Sequence, residues 1–333
     1  MARHTFFCID GHTAGMPVRM VVGGAPYLQG TNQAERREYF IQHFDWIRTA
    51  LTMEPRGHAF MSGTLLYPPS SPDFDMGLIF IETSASLPMC GHATIGSVTF
   101  AIEHGLVHPK TPGVVRVETP AGLVEARYEL VGNKVKSVRF TNVPSFLLYQ
   151  GVEIDIAGLG ALTVDVAYGG NFYAIVEQQQ NFRDISDFSI AELLSYGRAV
   201  QQAVNAAVEV QHPEIASIKG LKHCLWSGPD ETGDYNNRIV VIAGDHLVDR
   251  SPCGTGTSAR VAQRASKGLL QKGGQFVHQS LTGGRFIGRI EQEVQVGPLS
   301  GVRPSVEGQA YVTGLNTLFV DRDEPYADGF LID

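Results

Sequence analysis

Two segments nearly half the chain apart share one frame: Met89-Cys90-Gly91-His92-Ala93-Thr94-Ile95-Gly96 and Pro252-Cys253-Gly254-Thr255-Gly256-Thr257-Ser258-Ala259. In each, a Cys-Gly pair leads through small residues into an apolar helical pattern that stops at a glycine fifteen positions past the cysteine, Gly105 and Gly268. The stretches beyond these glycines match as well. Val114 to Val117 and Leu123 to Tyr128 read as strand, Gly-containing turn, strand, and Gln275 to Ser280 and Arg285 to Gly288 read the same way. A repeat of cysteine, helix and hairpin constrains the chain to two copies of one unit. Each copy delivers a thiol to the start of a helix, beside unpaired backbone N–H groups and the positive end of the helix dipole, which favour thiolate over thiol.

The rest of the sequence fits that frame. Strand-like segments dominate, among them Arg19 to Val22, Gly77 to Ile81, Leu162 to Val166 and Phe172 to Val176. Helical patterns cover Ala34 to Ala50, with Trp46, Ile47 and Leu51 on one side, Ile190 to Ala207, and the two segments after the special cysteines. The expectation is a mixed α/β (α+β) protein without strict strand-helix alternation. The crossing between halves falls near Asn142 to Phe146, so that 1–145 forms the first half, completed by 310–333, and 146–309 forms the second.

At 333 residues, with 43% hydrophobic and 18% charged content, core size is not limiting. A net charge of −8 with no basic stripe argues against nucleic-acid and anionic-membrane partners and for small-molecule chemistry. No apolar run approaches a membrane span and the first residues lack a signal core, so the expected location is cytoplasmic. Cys8, Cys90, Cys224 and Cys253 show neither metal-ligand nor disulfide spacing, and the histidines show no metal-binding pattern. No metal and no cofactor are expected. Cys8 and Cys224, in apolar runs, read as core residues.

Two thiols facing one substrate make a two-base proton-transfer site. Removing a proton from a carbon beside a carboxylate needs positioned N–H donors as charge develops. The amides of Gly91, His92, Gly254 and Thr255 supply them where two helices begin, and glycine after each cysteine lets that backbone come close. One sulfur takes a proton while the other gives one, which inverts a stereocentre.

The two loops, with Asp249-Arg250-Ser251 leading into the second, resemble the signature loops of the proline racemase family. Similarity continues through Asp10 to Thr13, Glu54 to His58, Asp165 to Tyr173 and Asn316 to Val320, and covers essentially the whole chain. Asp45 to Arg48, Met61 to Gly63 and Leu87 to His92 are closest to the branch of the family that epimerises 4-hydroxyproline. The resemblance implies two pseudo-symmetric halves, each a curved, mostly antiparallel sheet around a central helix, as in diaminopimelate epimerase. It implies Cys90 and Cys253 as catalytic acid and base, and Asp249 and His92 as contacts to a ring nitrogen. His223 is a candidate contact to a substrate hydroxyl.

The expected reaction interconverts trans-4-hydroxy-L-proline and cis-4-hydroxy-D-proline, with proline racemisation as the nearest alternative. Dehydration of trans-3-hydroxyproline is opposed by Cys253, since related dehydratases carry threonine there. Met16, Ala93 and Gln279 to Gly284 depart from the family pattern. A binding protein holding an amino-acid carboxylate without chemistry, or a redox sensor pairing the two cysteines, are readings of other classes. A homodimer is left open.

Overall fold

The computed structural model describes residues 3–216, 218–229, 238–244 and 247–332. Two compact units divide the chain, residues 1–140 with 308–333, and residues 141–307. Their elements follow one another in the same order. The first unit runs β1 (His4–Thr13), β2 (Met16–Gly23), α1 (Gln33–Thr52), β3 (Ser62–Tyr67), β4 (Met76–Glu82), β5 (Ser86–Leu87), α2 (Gly91–Glu103), β6 (Val114–Thr119), β7 (Gly122–Val131) and β8 (Lys134–Thr141). The second runs β9 (Ser145–Ile156), β10 (Gly160–Tyr168), β11 (Phe172–Val176), α3 (Ile190–Ala207), β12 (His223–Gly228), β13 (Arg238–Ala243), β14 (Leu247–Val248), α4 (Gly254–Ser266), β15 (Gln275–Ser280), β16 (Arg285–Val296) and β17 (Leu299–Gly308). The last strand, β18 (Ala310–Val320), returns to pair antiparallel with β1.

The strand pairings repeat as well. In the first unit β1–β2 is antiparallel, β2–β3 parallel, β3–β4 antiparallel, β4–β6 parallel and β6–β7 antiparallel. In the second, β10–β11, β11–β12, β12–β13, β13–β15 and β15–β16 follow the same sequence of directions. The short β5 and β14 each add antiparallel to the fourth strand of the series, just before the cysteine-bearing helix. In the second unit β17 also pairs with β9, through Gly301 and Phe146, so its sheet closes on itself.

The helices divide into two kinds. α1 and α3 are amphipathic and cover one face of their sheets, burying Phe40, Ile47 and Leu51, and Leu193, Val200 and Val204, respectively. Each has a built start: Asn32 accepts from Glu35 N–H, and Ser189 and Glu192 form a reciprocal capping box. α2 and α4 are instead buried almost all round, Gly91 to Ala101 and Gly254 to Gln263. Their small residues allow strands to pack close on several sides, β1, β2, β3, β7 and β18 around α2 and β9, β10, β11 and β16 around α4. Both are equally long and end the same way, at Gly105 (φ 63°) and Gly268 (φ 71°), a left-handed conformation that glycine adopts without a Cβ penalty.

Candidate active site

At the start of α2, Cys90 is the N-cap in an extended conformation (φ −141°, ψ 119°), and its sulfur makes no bond to the helix amides. It is half-buried. Its carbonyl is held by Thr94, through N–H at 3.0 Å and hydroxyl at 2.8 Å. The ring of His92 folds back so that Nδ1 lies 3.3 Å from Cys90 Sγ. Thr13, at the end of β1, donates its hydroxyl to the His92 carbonyl at 2.8 Å, fixing this turn to the sheet. Asp10, in the same motif, is spent on Arg19, which it grips with both oxygens.

At the start of α4, Cys253 occupies the equivalent cap with a different backbone, φ 60° and ψ 111°. A non-glycine residue in that region is uncommon and strained, and is retained where surrounding structure enforces it. The enforcement is visible. Thr257, four positions on as Thr94 is from Cys90, bonds the Cys253 carbonyl through N–H at 2.8 Å and the Pro252 carbonyl through its hydroxyl at 3.1 Å. Ser251 Oγ accepts from Cys253 N–H at 3.2 Å, and Asp249 Oδ1 accepts from both Ser251 N–H and Oγ at 2.8 Å. The turn conformation brings Sγ to 3.4 Å from Gly256 N–H, which donates to it. Gly169, in the turn between β10 and β11, seals this first helical turn. A Cβ there would fall 2.3 Å from Thr255 O and 2.4 Å from Ala259 N, so glycine is required.

The structure brings Asp249, Cys253, Gly254, Thr255 and His223 into one neighbourhood of the second unit. Parallel pairing of β11 with β12 sets Tyr173 opposite His223, with ring centroids 4.8 Å apart. The Tyr173 hydroxyl lies 3.3 Å from Cys253 Sγ and 2.6 Å from Thr255 Oγ1. Burial pushes the half-buried His223 imidazole down to about 4, and its Nδ1 is a buried atom with no hydrogen-bond partner. Asp249 uses one oxygen in its turn. Oδ2 takes no bond among the described residues.

One expectation is reversed. The helix N-terminus was expected to favour thiolate at both cysteines, yet burial, reinforced by the negative charge of Asp249, pushes the Cys253 thiol up to about 12. Hydrogen bonds from Tyr173, Gly256 N–H and Thr255 oppose this without overcoming it. Desolvation of a residue only 8% exposed outweighs the few donors that reach its sulfur. Cys253 therefore rests as a thiol at neutral pH.

Cys8 and Cys224 are core residues, 3% and 0% exposed, with burial raising both thiols. Met16 and Ala93 are likewise buried, each 1% exposed. Arg56 is a half-buried tie, reaching Glu324 at 2.8 Å and the carbonyls of Ala50, Tyr326 and Ala327. Tyr173 is the residue that the sequence did not single out for chemistry. Its place in the apolar run Phe172 to Val176 reads as core, and only the fold brings its hydroxyl to Sγ.

The profile of the proline racemase family matches residues 8–331. A 4-hydroxyproline 2-epimerase of Ancylobacter novellus is 54% identical over 332 residues, covering 100% of both chains. A 4-hydroxyproline epimerase of Brucella suis is 52% identical over 332 residues with the same coverage. Among solved structures, the crystal structure of a hydroxyproline epimerase from Agrobacterium vitis with bound trans-4-hydroxy-L-proline superposes with a TM-score of 0.87. It is 28% identical, and the match covers 99% of this chain and 95% of that one.

Proposed function

Because the chain belongs to the proline racemase family, we propose that it is a 4-hydroxyproline 2-epimerase that inverts the α-carbon by exchanging protons with Cys90 and Cys253. The observation that carries this is the duplicated unit, which ends twice in a thiol at the N-cap of a buried helix. The reaction begins from Cys90 as thiolate and Cys253 as thiol, the form in which burial holds the latter. The Cα–H bond breaks as an S–H bond forms on Cys90. The S–H bond of Cys253 breaks as a new Cα–H bond forms on the opposite face, and no atom is gained or lost. The reverse reaction starts from the opposite protonation pair.

The substrate carboxylate is the acceptor for the first-turn amides of Gly91, His92, Gly254 and Thr255 at the two helix starts. Those donors stabilise the carbanion's charge as it spreads into the carboxylate. Asp249 Oδ2 and His92 take the ring ammonium. His223, neutral at working pH and with Nδ1 unpaired, takes the ring hydroxyl. Thiols stay reduced in a cytoplasmic setting, which this chemistry requires.

Polarimetry of the purified protein with trans-4-hydroxy-L-proline, L-proline and trans-3-hydroxy-L-proline in parallel tests the reading. Rotation should change fastest with trans-4-hydroxy-L-proline and settle at a mixture with cis-4-hydroxy-D-proline. Faster turnover of L-proline would make it a proline racemase, and loss of water from the 3-hydroxy compound a dehydratase.

A further inference from the structure

The two thiols have different companions. Two positions after each cysteine stands a polar residue, His92 in the first unit and Thr255 in the second. The imidazole reaches its sulfur at 3.3 Å, whereas the shorter Thr255 hydroxyl stops 3.8 Å from Cys253 Sγ. Tyr173 fills the difference, touching both Sγ at 3.3 Å and Thr255 Oγ1 at 2.6 Å. Its counterpart in the first unit is Val18, which opens the parallel β2–β3 ladder opposite Ser62 as Tyr173 opens β11–β12 opposite His223. Val18 carries no polar atom, and none is needed where a histidine already sits on the sulfur.

We propose that Tyr173 is a catalytic hydrogen-bond donor to Cys253, and that the pair of hydroxyls Tyr173–Thr255 reverses direction each time this sulfur changes protonation state. A phenol carries one hydrogen and two lone pairs, a threonine hydroxyl likewise, and a thiolate only accepts. With Cys253 as thiol, S–H donates to the phenol oxygen and the phenol donates to Thr255 Oγ1. Once Cys253 has given up its proton, Thr255 donates to the phenol oxygen and the phenol donates to the thiolate. The S–H hydrogen turns from the phenol oxygen to the α-carbon as it is delivered and the two hydroxyl hydrogens rotate, so the new charge meets a donor with no reorganisation of heavy atoms. Burial, with Cys253 and Asp249 beside it, holds the phenol far above its ordinary range. It therefore remains a donor and does not compete as an acid.

The proposal rests on the two-thiol reading of the site, and its test reads the hydrogen bond without substrate. In the full chain carrying Cys90→Ser, the rate of iodoacetamide labelling at Cys253 is followed by mass spectrometry from about pH 7 to 9, where it tracks the thiolate fraction. Tyr173→Phe should slow labelling about tenfold at each pH, the loss of one hydrogen bond to a charged group. With Cys90 restored, kcat/KM should fall by a similar factor. Fluorotyrosine at position 173 keeps the shape and makes a stronger donor, so labelling should speed up. This arm also decides the question if the phenylalanine variant fails to fold. Unchanged labelling in the fluorotyrosine protein, or in a folded Tyr173→Phe protein, overturns the proposal even where epimerisation proceeds. A wild-type protein that turns over none of the three amino acids while labelling responds as expected would instead remove the epimerase reading and keep the hydrogen bond.

Discussion

The first turns of α2 and α4 are the same place in a duplicated fold, yet they hold their sulfurs differently. Cys90 is half-buried in relaxed extended backbone, with an imidazole at its side. Cys253 is buried in a left-handed turn, with a phenol, a threonine hydroxyl and an amide around it and a carboxylate nearby that disfavours its anion. Equal helices, matched threonines and matched glycine stops supply position. The unequal neighbours set the two sulfurs apart, and the proposed two-thiol exchange needs its partners in opposite protonation states when substrate arrives.

The hardest blow to that comparison is to remove either sulfur. Cys90→Ser and Cys253→Ser should each lower kcat by at least about a hundredfold, because a hydroxyl is too weak an acid to stand in for a general acid–base thiol. Cys8→Ala should retain turnover. Near-normal kcat in either folded serine variant would take that cysteine out of the mechanism and with it the pairing.

Next comes Asp249→Asn, expected to cost roughly tenfold in kcat/KM through loss of a charged partner for the substrate ammonium. The same change removes a charge that raises the Cys253 thiol, so labelling at Cys253 should speed up while Cys90 is unaffected. Slower turnover with unchanged labelling would confine Asp249 to its turn with Ser251.

Smaller effects lie in the pH dependence of stability, measured by denaturant melts. His223 has a folded pKa of about 4, against an ordinary ~6.5 when unfolded. On acidification the unfolded chain binds the proton first, so stability holds above about pH 6.5 and falls from there towards 4. Cys253 works in the other direction. Its unfolded thiol ionises near ~8.5 and the folded one at about 12, so stability present below about 8.5 is lost as pH rises towards 12. His223→Gln should lessen the acid limb, leaving the share of His278 and His212, and Cys253→Ser should lessen the alkaline one, leaving the share of Cys8 and Cys224. Unaltered limbs in both variants would discount the burial argument.

Smallest of all, Thr13→Val and Thr257→Val each remove one hydroxyl tie to a helix start. Thr13→Val should cost about 1 kcal/mol of stability, and Thr257→Val somewhat more, since its hydroxyl also bonds the buried His278 Nδ1 at 2.9 Å. If only Thr257→Val also slows turnover, the strained cap of Cys253 is the more demanding of the two.

Much of this was legible in the sequence because repetition is a long-range signal that survives without a structure. The Cys-Gly frames, the equal run to Gly105 and Gly268 and the hairpins beyond them give the unit, and the helical pattern from Ile190 to Ala207 gives α3 with the bounds observed. The grouping of Asp249, Ser251 and Cys253 at the start of α4 was readable from their closeness in sequence. What was not readable depends on pairing register. Tyr173 looks like any core aromatic until a parallel ladder sets it beside His223, and closure of the second sheet rests on Phe146 meeting Gly301. The protonation of Cys253 was misjudged for a related reason. A helix start is visible in sequence, but the depth at which it is buried is a property of everything packed around it.

The return of β18 to β1 bears on how the chain is made. Residues 141–307 are contiguous and hold the closed run of strands from β9 to β17, so that run is complete before Ala310–Val320 emerges. The first unit, although translated first, has only β2 beside His4–Thr13 and lacks the second neighbour of that strand until Ala310–Val320 emerges. The order of completion is therefore the reverse of the order of translation, and the nascent first unit must keep an open strand edge unpaired for most of the chain's synthesis.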